Sequence, residues 1–220
     1  DLDLSVISLT KGSVTAAVFT QNIFCAAPVL VAKNHLQNFP RALLINSGNA
    51  NAGTGKKGIV NTLKSCEILA NKLNIQAEQV LPFSTGVIGK QIDLSHFESG
   101  ISRATSQLTV DSISDVAKAI LTTDLVEKYC SRIFNVDGKE VTLSGIAKGS
   151  GMIRPDMATM LSFIFTDIGS SQKALQDSLA IAVDQSFNRI TVDGDTSTND
   201  VCTLSATNQS GVQLSQCTKE

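Results

Sequence analysis

The segment Lys148-Gly-Ser-Gly-Met152-Ile-Arg-Pro-Asp156-Met-Ala-Thr159 leads directly into the apolar run Met160-Leu-Ser-Phe-Ile-Phe165. A glycine-rich turn, a small-residue Ala158-Thr159 junction and the start of a buried strand thus fall together, with a lysine eleven positions before the threonine. These residue types suit one chemistry. Breaking the Ala158–Thr159 bond would free an α-amine on Thr159, and that amine can act as general base for the hydroxyl of the same residue. Alone, Thr159 reads first as a β-branched residue that merely begins a strand. Its neighbours decide between the two.

Ser84-Thr85-Gly86 closes a short apolar run and precedes another glycine, Gly89. Such a turn can aim donors at one point, as an oxyanion hole requires, although an ordinary tight turn has the same composition. Lys148 sits between an apolar stretch and a Gly-Ser-Gly turn. Burial there would depress its pKa and make it useful beside a nucleophile. Gly53-Thr-Gly55-Lys-Lys-Gly58 matches G-x-G-x-x-G, but seven residues separate it from the preceding strand. A dinucleotide site is therefore disfavoured, and a helix N-terminus facing a small anion is the better expectation. Asp193-Gly-Asp195-Thr-Ser-Thr-Asn-Asp200 lacks the glycine and glutamate that a calcium loop needs at its sixth and twelfth positions, so it reads as a polar connection with Asx turns. No metal is expected. His35 and His96 lack an obvious Ser or Asp partner and read as structural.

The elements that must position these residues alternate between strand and helix. Residues 4–9 and 14–20 are β-rich on either side of Lys11-Gly12-Ser13, which suggests a hairpin. Ala27–Leu36 has helical spacing with Pro28 near its start. Ala42–Ile45, Val80–Phe83 and Val201–Ala206 read as strands, and Gly58–Leu73 and Leu94–Leu108 as helices. Ser112-x-x-Asp115 resembles a capping box. Asp137-Gly138, between Ile133–Val136 and Glu140–Ile146, is a strong hairpin signal. Ser170 or Ser171 would cap a helix running to Ser186 with Leu175, Leu179, Ala182 and Val183 on one face. Helices and hairpins together predict an α/β fold with a mixed sheet covered by helices.

Composition bounds the partners. The 220 residues are 42% hydrophobic, with 18 Lys+Arg against 20 Asp+Glu and 5% aromatics without Trp. No basic face or stacking platform points to nucleic acid. No apolar run approaches a membrane span, and no signal-peptide pattern is visible. Five cysteines, odd in number and without a CxxC, suggest buried reduced thiols in a cytosol-like compartment rather than a disulfide framework or a zinc site. Asp1 in place of Met suggests an N-terminus that is either trimmed or not included in this sequence.

Taken together, the blocks Ala16-Ala-Val-Phe-Thr20, Phe24-Cys-Ala-Ala-Pro28, Ile45-Asn-Ser-Gly-Asn-Ala-Asn-Ala52, Ser84-Thr-Gly-Val-Ile-Gly89, Thr122-Thr-Asp124, Ala147-Lys-Gly-Ser-Gly-Met152, Met157-Ala-Thr-Met-Leu161 and Thr196-Ser-Thr-Asn-Asp200 resemble the ornithine acetyltransferase (glutamate N-acetyltransferase) family of arginine biosynthesis. They occur in that family's order and cover nearly the whole chain. The resemblance implies a precursor that cuts itself between Ala158 and Thr159. An α region, residues 1–158, would carry the oxyanion donors Thr85 and Gly86 and the substrate-binding Lys148. A β region from residue 159 onward, here 159–220, would carry the nucleophile Thr159. It further implies acetyl transfer from N2-acetylornithine to glutamate by a ping-pong route through acetyl-threonine, with acetyl-CoA as a donor in some members and no bound cofactor. The implied fold is a layered sandwich shared with self-processing aminopeptidases. The implied assembly is an α2β2 heterotetramer, cytoplasmic, or mitochondrial in a eukaryote.

Two departures bear on the site. The family's Thr-Thr-Asp-Thr is here Thr122-Thr-Asp-Leu125, so the position expected to touch substrate offers no hydrogen bond, and Glu127-Lys128 replaces a Pro-Lys. The family's β chain is also far longer than residues 159–220, and the resemblance places a glutamate and further substrate contacts beyond Glu220. Leu125 leaves open an amidohydrolase of related fold, and the missing contacts leave open a non-catalytic paralogue.

Overall fold

A computed structural model describes residues 3–154 and 160–217. In chain order they form β1 (Leu4–Ser8), β2 (Val14–Phe19), α1 (Ala27–His35), β3 (Ala42–Asn46), α2 (Gly55–Leu73), β4 (Val80–Ser84), α3 (Leu94–Ser106), α4 (Ile113–Ala119), β5 (Lys128–Val136), β6 (Lys139–Lys148), β7 (Leu161–Thr166), α5 (Gln172–Gln185), β8 (Val201–Ala206) and α6 (Leu214–Cys217). Two sheets result, with strand orders β1-β3-β4 and β2-β8-β7-β6-β5. Only β3–β4 and β7–β8 are parallel, so both sheets are mixed.

The period-2 alternation of each strand sorts its side chains between two layers. Leu43, Ile45, Leu81 and Phe83 of the small sheet meet Ala17, Ile146, Leu161, Phe163 and Val201 of the large one in a single core. The next residues along, Val6, Ala42, Leu44 and Val80, turn outward onto Cys66 and Leu69 of α2 and Ile101 of α3. On the far side, Ala16, Cys202 and Ala206 turn onto Leu175, Leu179 and Val183 of α5. The layering is helix, sheet, sheet, helix. Ala117 of α4 and the following Ile120 reach into the inter-sheet core. The Phe83 and Phe163 rings join the sheets edge to face, 5.1 Å apart at 65°. Pro82 sits on β4, an edge strand, where its missing N–H breaks no ladder.

Most sequence-predicted elements lie where the periodicity placed them, and the differences have physical causes. Lys11-Gly12-Ser13 does not make a hairpin: β1 pairs with β3 and β2 with β8. Both strands carry core-facing residues, so the turn passes the chain from one sheet to the other. Asp137-Gly138 does make one, with φ of 51° and 79° at its two turn residues. Ser171 Oγ caps α5 by accepting from Ala174 N–H at 3.2 Å, whereas Ser112 Oγ donates to Thr109 O and forms no cap. Leu63 of α2 and Ala182 of α5 face solvent. Only Cys66 and Cys202 are buried thiols, and burial pushes both up to about 12; Cys130 and Cys217 are exposed. His35 is buried with Nδ1 2.8 Å from Val80 O, and His96 is exposed near Asp93. No helix among the described residues is long and apolar enough to cross a membrane.

Phe163 is fully buried where the sheets meet. Phe163→Ala should lower unfolding stability by about 3–5 kcal/mol, measured by urea denaturation. A loss under about 1 kcal/mol would show that the sheets do not depend on this contact.

Candidate active site

Two loops leave the carboxyl ends of the parallel pair β3 and β4 and run side by side. Thr85 N–H donates to Asn46 O at 2.9 Å, Val87 N–H to Gly48 O at 3.1 Å, Ala50 N–H to Val87 O at 2.9 Å and Gly89 N–H to Ala52 O at 2.8 Å. The approach is closest at Gly86. Its φ is 123°, and a Cβ there would lie 2.3 Å from the carbonyl carbon of Gly48. Only glycine fits both demands. These loops form one wall of a cleft of about 720 Å³ that also includes Ser47, Thr122, Lys148 and Thr198.

Lys148 ends β6 opposite Leu161 of β7 and is 4% exposed. Its Nζ donates to Thr122 Oγ1 at 2.8 Å and to Thr85 Oγ1 at 3.3 Å. Burial holds its pKa below the ordinary lysine value; the charges of Asp124 and Asp200 work against that, and Lys128 adds to it. An ammonium has three protons to give, and two go to these hydroxyls. Because each hydroxyl accepts from the ammonium, its own proton is left to point elsewhere. Thr85 N–H is occupied by Asn46 O, so the donors that Thr85 and Gly86 can turn toward the cleft are the Thr85 hydroxyl and the Gly86 N–H.

Asp124 braces the same wall. Its side chain is fully buried, and Oδ1 accepts from Gly149 N–H at 2.8 Å and from Lys128 Nζ. Burial alone would raise this carboxyl; the bonds from Lys128 and Gly149, with the charges of Lys128 and Lys148, outweigh it and hold the pKa below the usual value. Thr123 and Ser150 hydroxyls meet at 2.6 Å, tying the 122–124 segment to the turn after Lys148.

Two carboxylates hold the described chain on either side of residues 155–159. Asp193 accepts from Met152 N–H at 2.6 Å and Ile153 N–H at 3.0 Å. Asp200 accepts from Met160 N–H at 2.9 Å. Asn199 Nδ2 donates to Ala50 O at 2.7 Å and Ser84 O at 2.9 Å, stitching the 197–200 segment to both cleft loops.

Of the residues singled out from sequence, Thr85, Gly86 and Lys148 line one cleft. Ala158 and Thr159 lie outside the described residues. Leu125 is 98% exposed and, two residues past Thr123 in the cleft wall, is not itself a lining residue. The N-terminus of α2 is not part of the cleft either. Gly58 makes room for Thr54, whose Oγ1 would lie 1.9 Å from a Cβ there and which donates to Asn51 Oδ1 at 2.8 Å. That glycine serves local packing. Thr122, Asp124, Asp193 and Asp200 are the residues whose roles sequence reasoning missed. Their signal was the clustering of polar residues with small ones at strand ends.

Facing mixed sheets between helical layers, with the Lys148 cleft at the mouth of β7, are the layered architecture of the self-processing aminopeptidase and ornithine acetyltransferase type. The chain belongs to the ArgJ family, whose family model matches residues 1–220. It is 50% identical over 212 residues to the arginine biosynthesis bifunctional protein ArgJ of Methylococcus capsulatus, covering 96% of this chain and 52% of that one. It thus spans about half the length of the curated relatives it matches. Among solved structures, ArgJ of Bacillus halodurans matches with a TM-score of 0.59 at 32% identity, over 72% of this chain and 91% of that chain. The ornithine acetyltransferase of Mycobacterium tuberculosis, solved with ornithine, matches with a TM-score of 0.57 at 28% identity, over 72% of this chain and 84% of that chain.

Two measurements test the site's physics. Gly86→Ala should destabilise by about 1–3 kcal/mol, because it forces both strain and a backbone clash; a melting temperature equal to wild type would contradict the close approach. Lys148 binds its proton less well folded than unfolded, so its contribution to stability rises with pH toward the ordinary value of 10.5. The stability difference between wild type and Lys148→Met should therefore move in favour of wild type as pH rises through that window. A flat difference would contradict burial of a charged amine.

Proposed function

We propose that this chain is part of an acetyltransferase that moves an acetyl group from N2-acetylornithine to glutamate in arginine biosynthesis, with Thr159 as the acetyl carrier. The observation that carries the reading is the convergence of Thr85, Gly86, Thr122 and Lys148 on one cleft beside β7, the strand that Thr159 precedes by two residues. Hydrolysis of the Ala158–Thr159 peptide bond would divide the precursor into an α region, 1–158, and a β region from residue 159 onward, releasing the Thr159 amine.

In the first half-reaction the Thr159 hydroxyl attacks the acetyl carbonyl while the α-amine takes its proton. Negative charge develops on the carbonyl oxygen, and the Thr85 hydroxyl and Gly86 N–H supply donors for it. A donor already polarised by a buried ammonium is a stronger one. Collapse returns the proton to the departing ornithine amine and leaves acetyl-Thr159. The amine of glutamate then attacks that ester, and the same steps run in reverse. Lys148 has a proton left for a substrate carboxylate, which both amino-acid substrates carry. No bound cofactor is part of this reading, acetyl-CoA is a second acetyl donor in some members of the family, and the cleaved precursor assembles as α2β2 in the cytoplasm. The amidohydrolase alternative rests on Leu125, which stands outside the cleft, so transfer to an amine is the better reading.

Intact-mass analysis of the full-length protein should find a fragment beginning at Thr159, and acetylornithine without glutamate should leave one acetyl group on that fragment. Thr159→Ala should abolish both. Uncut protein after long incubation, or acetylornithine hydrolysis that outpaces transfer to glutamate, would sink the proposal.

A further inference from the structure

Asp200 is 2% exposed and directly precedes β8. Its Oδ1 accepts the Met160 N–H at 2.9 Å, and the N–H of Val201 donates to Met160 O at 3.0 Å. Two consecutive residues thus fix both the N–H and the carbonyl of Met160, the residue bonded to Thr159. The preceding Asn199 holds Ser84 O, one residue before Thr85. The chain beside the nucleophile and the chain beside the oxyanion donors are therefore held by neighbours in sequence. Across the large sheet Lys148 stands opposite Leu161 and Leu161 opposite Val201, so Asp200, just before Val201, lies one strand beyond Lys148's neighbour. With Asp124 it favours the charged amine, against burial and the like charge of Lys128.

We propose that Asp200 is a positioning residue with two tasks: it fixes the backbone that delivers Thr159 to the cleft, and it keeps the Lys148 amine charged. The inference rests on the roles given above to Thr159 and Lys148. A carboxylate suits both tasks, because a charged acceptor binds an N–H more strongly than a neutral one and supplies the countercharge that a buried ammonium requires. The cost of failing at the first task is large, since a displacement of about 1 Å at a reacting group can lower the rate about 100-fold.

Two substitutions in the full-length protein separate the tasks. Asp200→Asn keeps a carbonyl oxygen for Met160 N–H and removes the charge. Lys148 would then be held by Asp124 alone against burial and Lys128, and would lose its proton at lower pH. Self-cleavage should proceed near the wild-type rate, while the high-pH limb of kcat/KM for acetyl transfer shifts to lower pH. A merely structural role would lower the rate without moving that limb. Asp200→Glu keeps the charge and displaces the anchor by one methylene, so the limb should stay while cleavage and kcat fall about 10- to 100-fold. An unshifted limb in Asp200→Asn overturns the electrostatic task, and wild-type cleavage in Asp200→Glu overturns the anchor. Wild-type protein run alongside decides the underlying reading separately: if it neither cleaves nor transfers acetyl, that reading falls and this inference with it. Should circular dichroism show Asp200→Asn unfolded, Asp200→Ser, smaller and equally uncharged, replaces it for the pH limb, while Asp200→Glu still decides the anchor.

Discussion

Removing the Lys148 ammonium from water costs several kcal/mol even after relaxation, and much of the polar end of the fold is arranged around that cost. Two threonine hydroxyls accept from its Nζ, and the buried carboxylates of Asp124 and Asp200 lie close enough for their charges to count. Neither carboxylate ion-pairs directly with it: Asp124 is bonded to Lys128 and Gly149, and Asp200 holds Met160. The lysine is consequently stabilised by neutral hydroxyl acceptors at contact distance and by charge at longer range. That arrangement leaves a proton for a ligand while keeping the amine ionised. A direct ion pair would have stabilised the charge more and left less for a substrate.

Such a site needs a rigid base, and the inter-sheet core provides it. Lys148 is the last residue of β6, two residues after Ile146, which packs in the same cluster as Phe83 and Phe163. Thr85 follows β4, whose Phe83 lies in that cluster too. Thr122 follows α4, whose Ala117 and neighbouring Ile120 also reach it. Three separate stretches of chain therefore deliver cleft residues from one packed volume. Close packing transmits small volume changes, so a core truncation should disturb the cleft as well as the fold.

What was legible in the sequence follows from range. Periodicity fixes elements because it reflects the local choice of buried face, and β8 and the Asp137-Gly138 hairpin lie where it placed them. Pairing partners are a non-local choice, which is why Lys11-Gly12-Ser13 looked like a hairpin although β1 and β2 belong to different sheets. The cleft residues Thr85, Gly86 and Lys148 could be picked out through the motif blocks that carry them, since a Ser-Thr-Gly turn and a lone lysine each have ordinary structural readings as well. The carboxylates Asp193 and Asp200 could not, since an aspartate bonded to nearby N–H groups looks the same in any Asx turn. Leu125 was singled out only because it departs from a familiar motif, and among the described residues its side chain stands in solvent.

The loop pair at Gly86 shows why the site tolerates so little change. Gly86 lies against Gly48, and Val87 N–H and Ala50 N–H interlock with the facing carbonyls. This consumes the backbone donors of Thr85 and Val87, leaving that of Gly86 between them. A donor fixed by bonds on either side needs no reorganisation when charge develops in front of it, and preorganisation of that kind is where electrostatic catalysis gains most. The glycine is therefore required twice. Without a Cβ the loops can close, and only when they close is the N–H of Gly86 held in place.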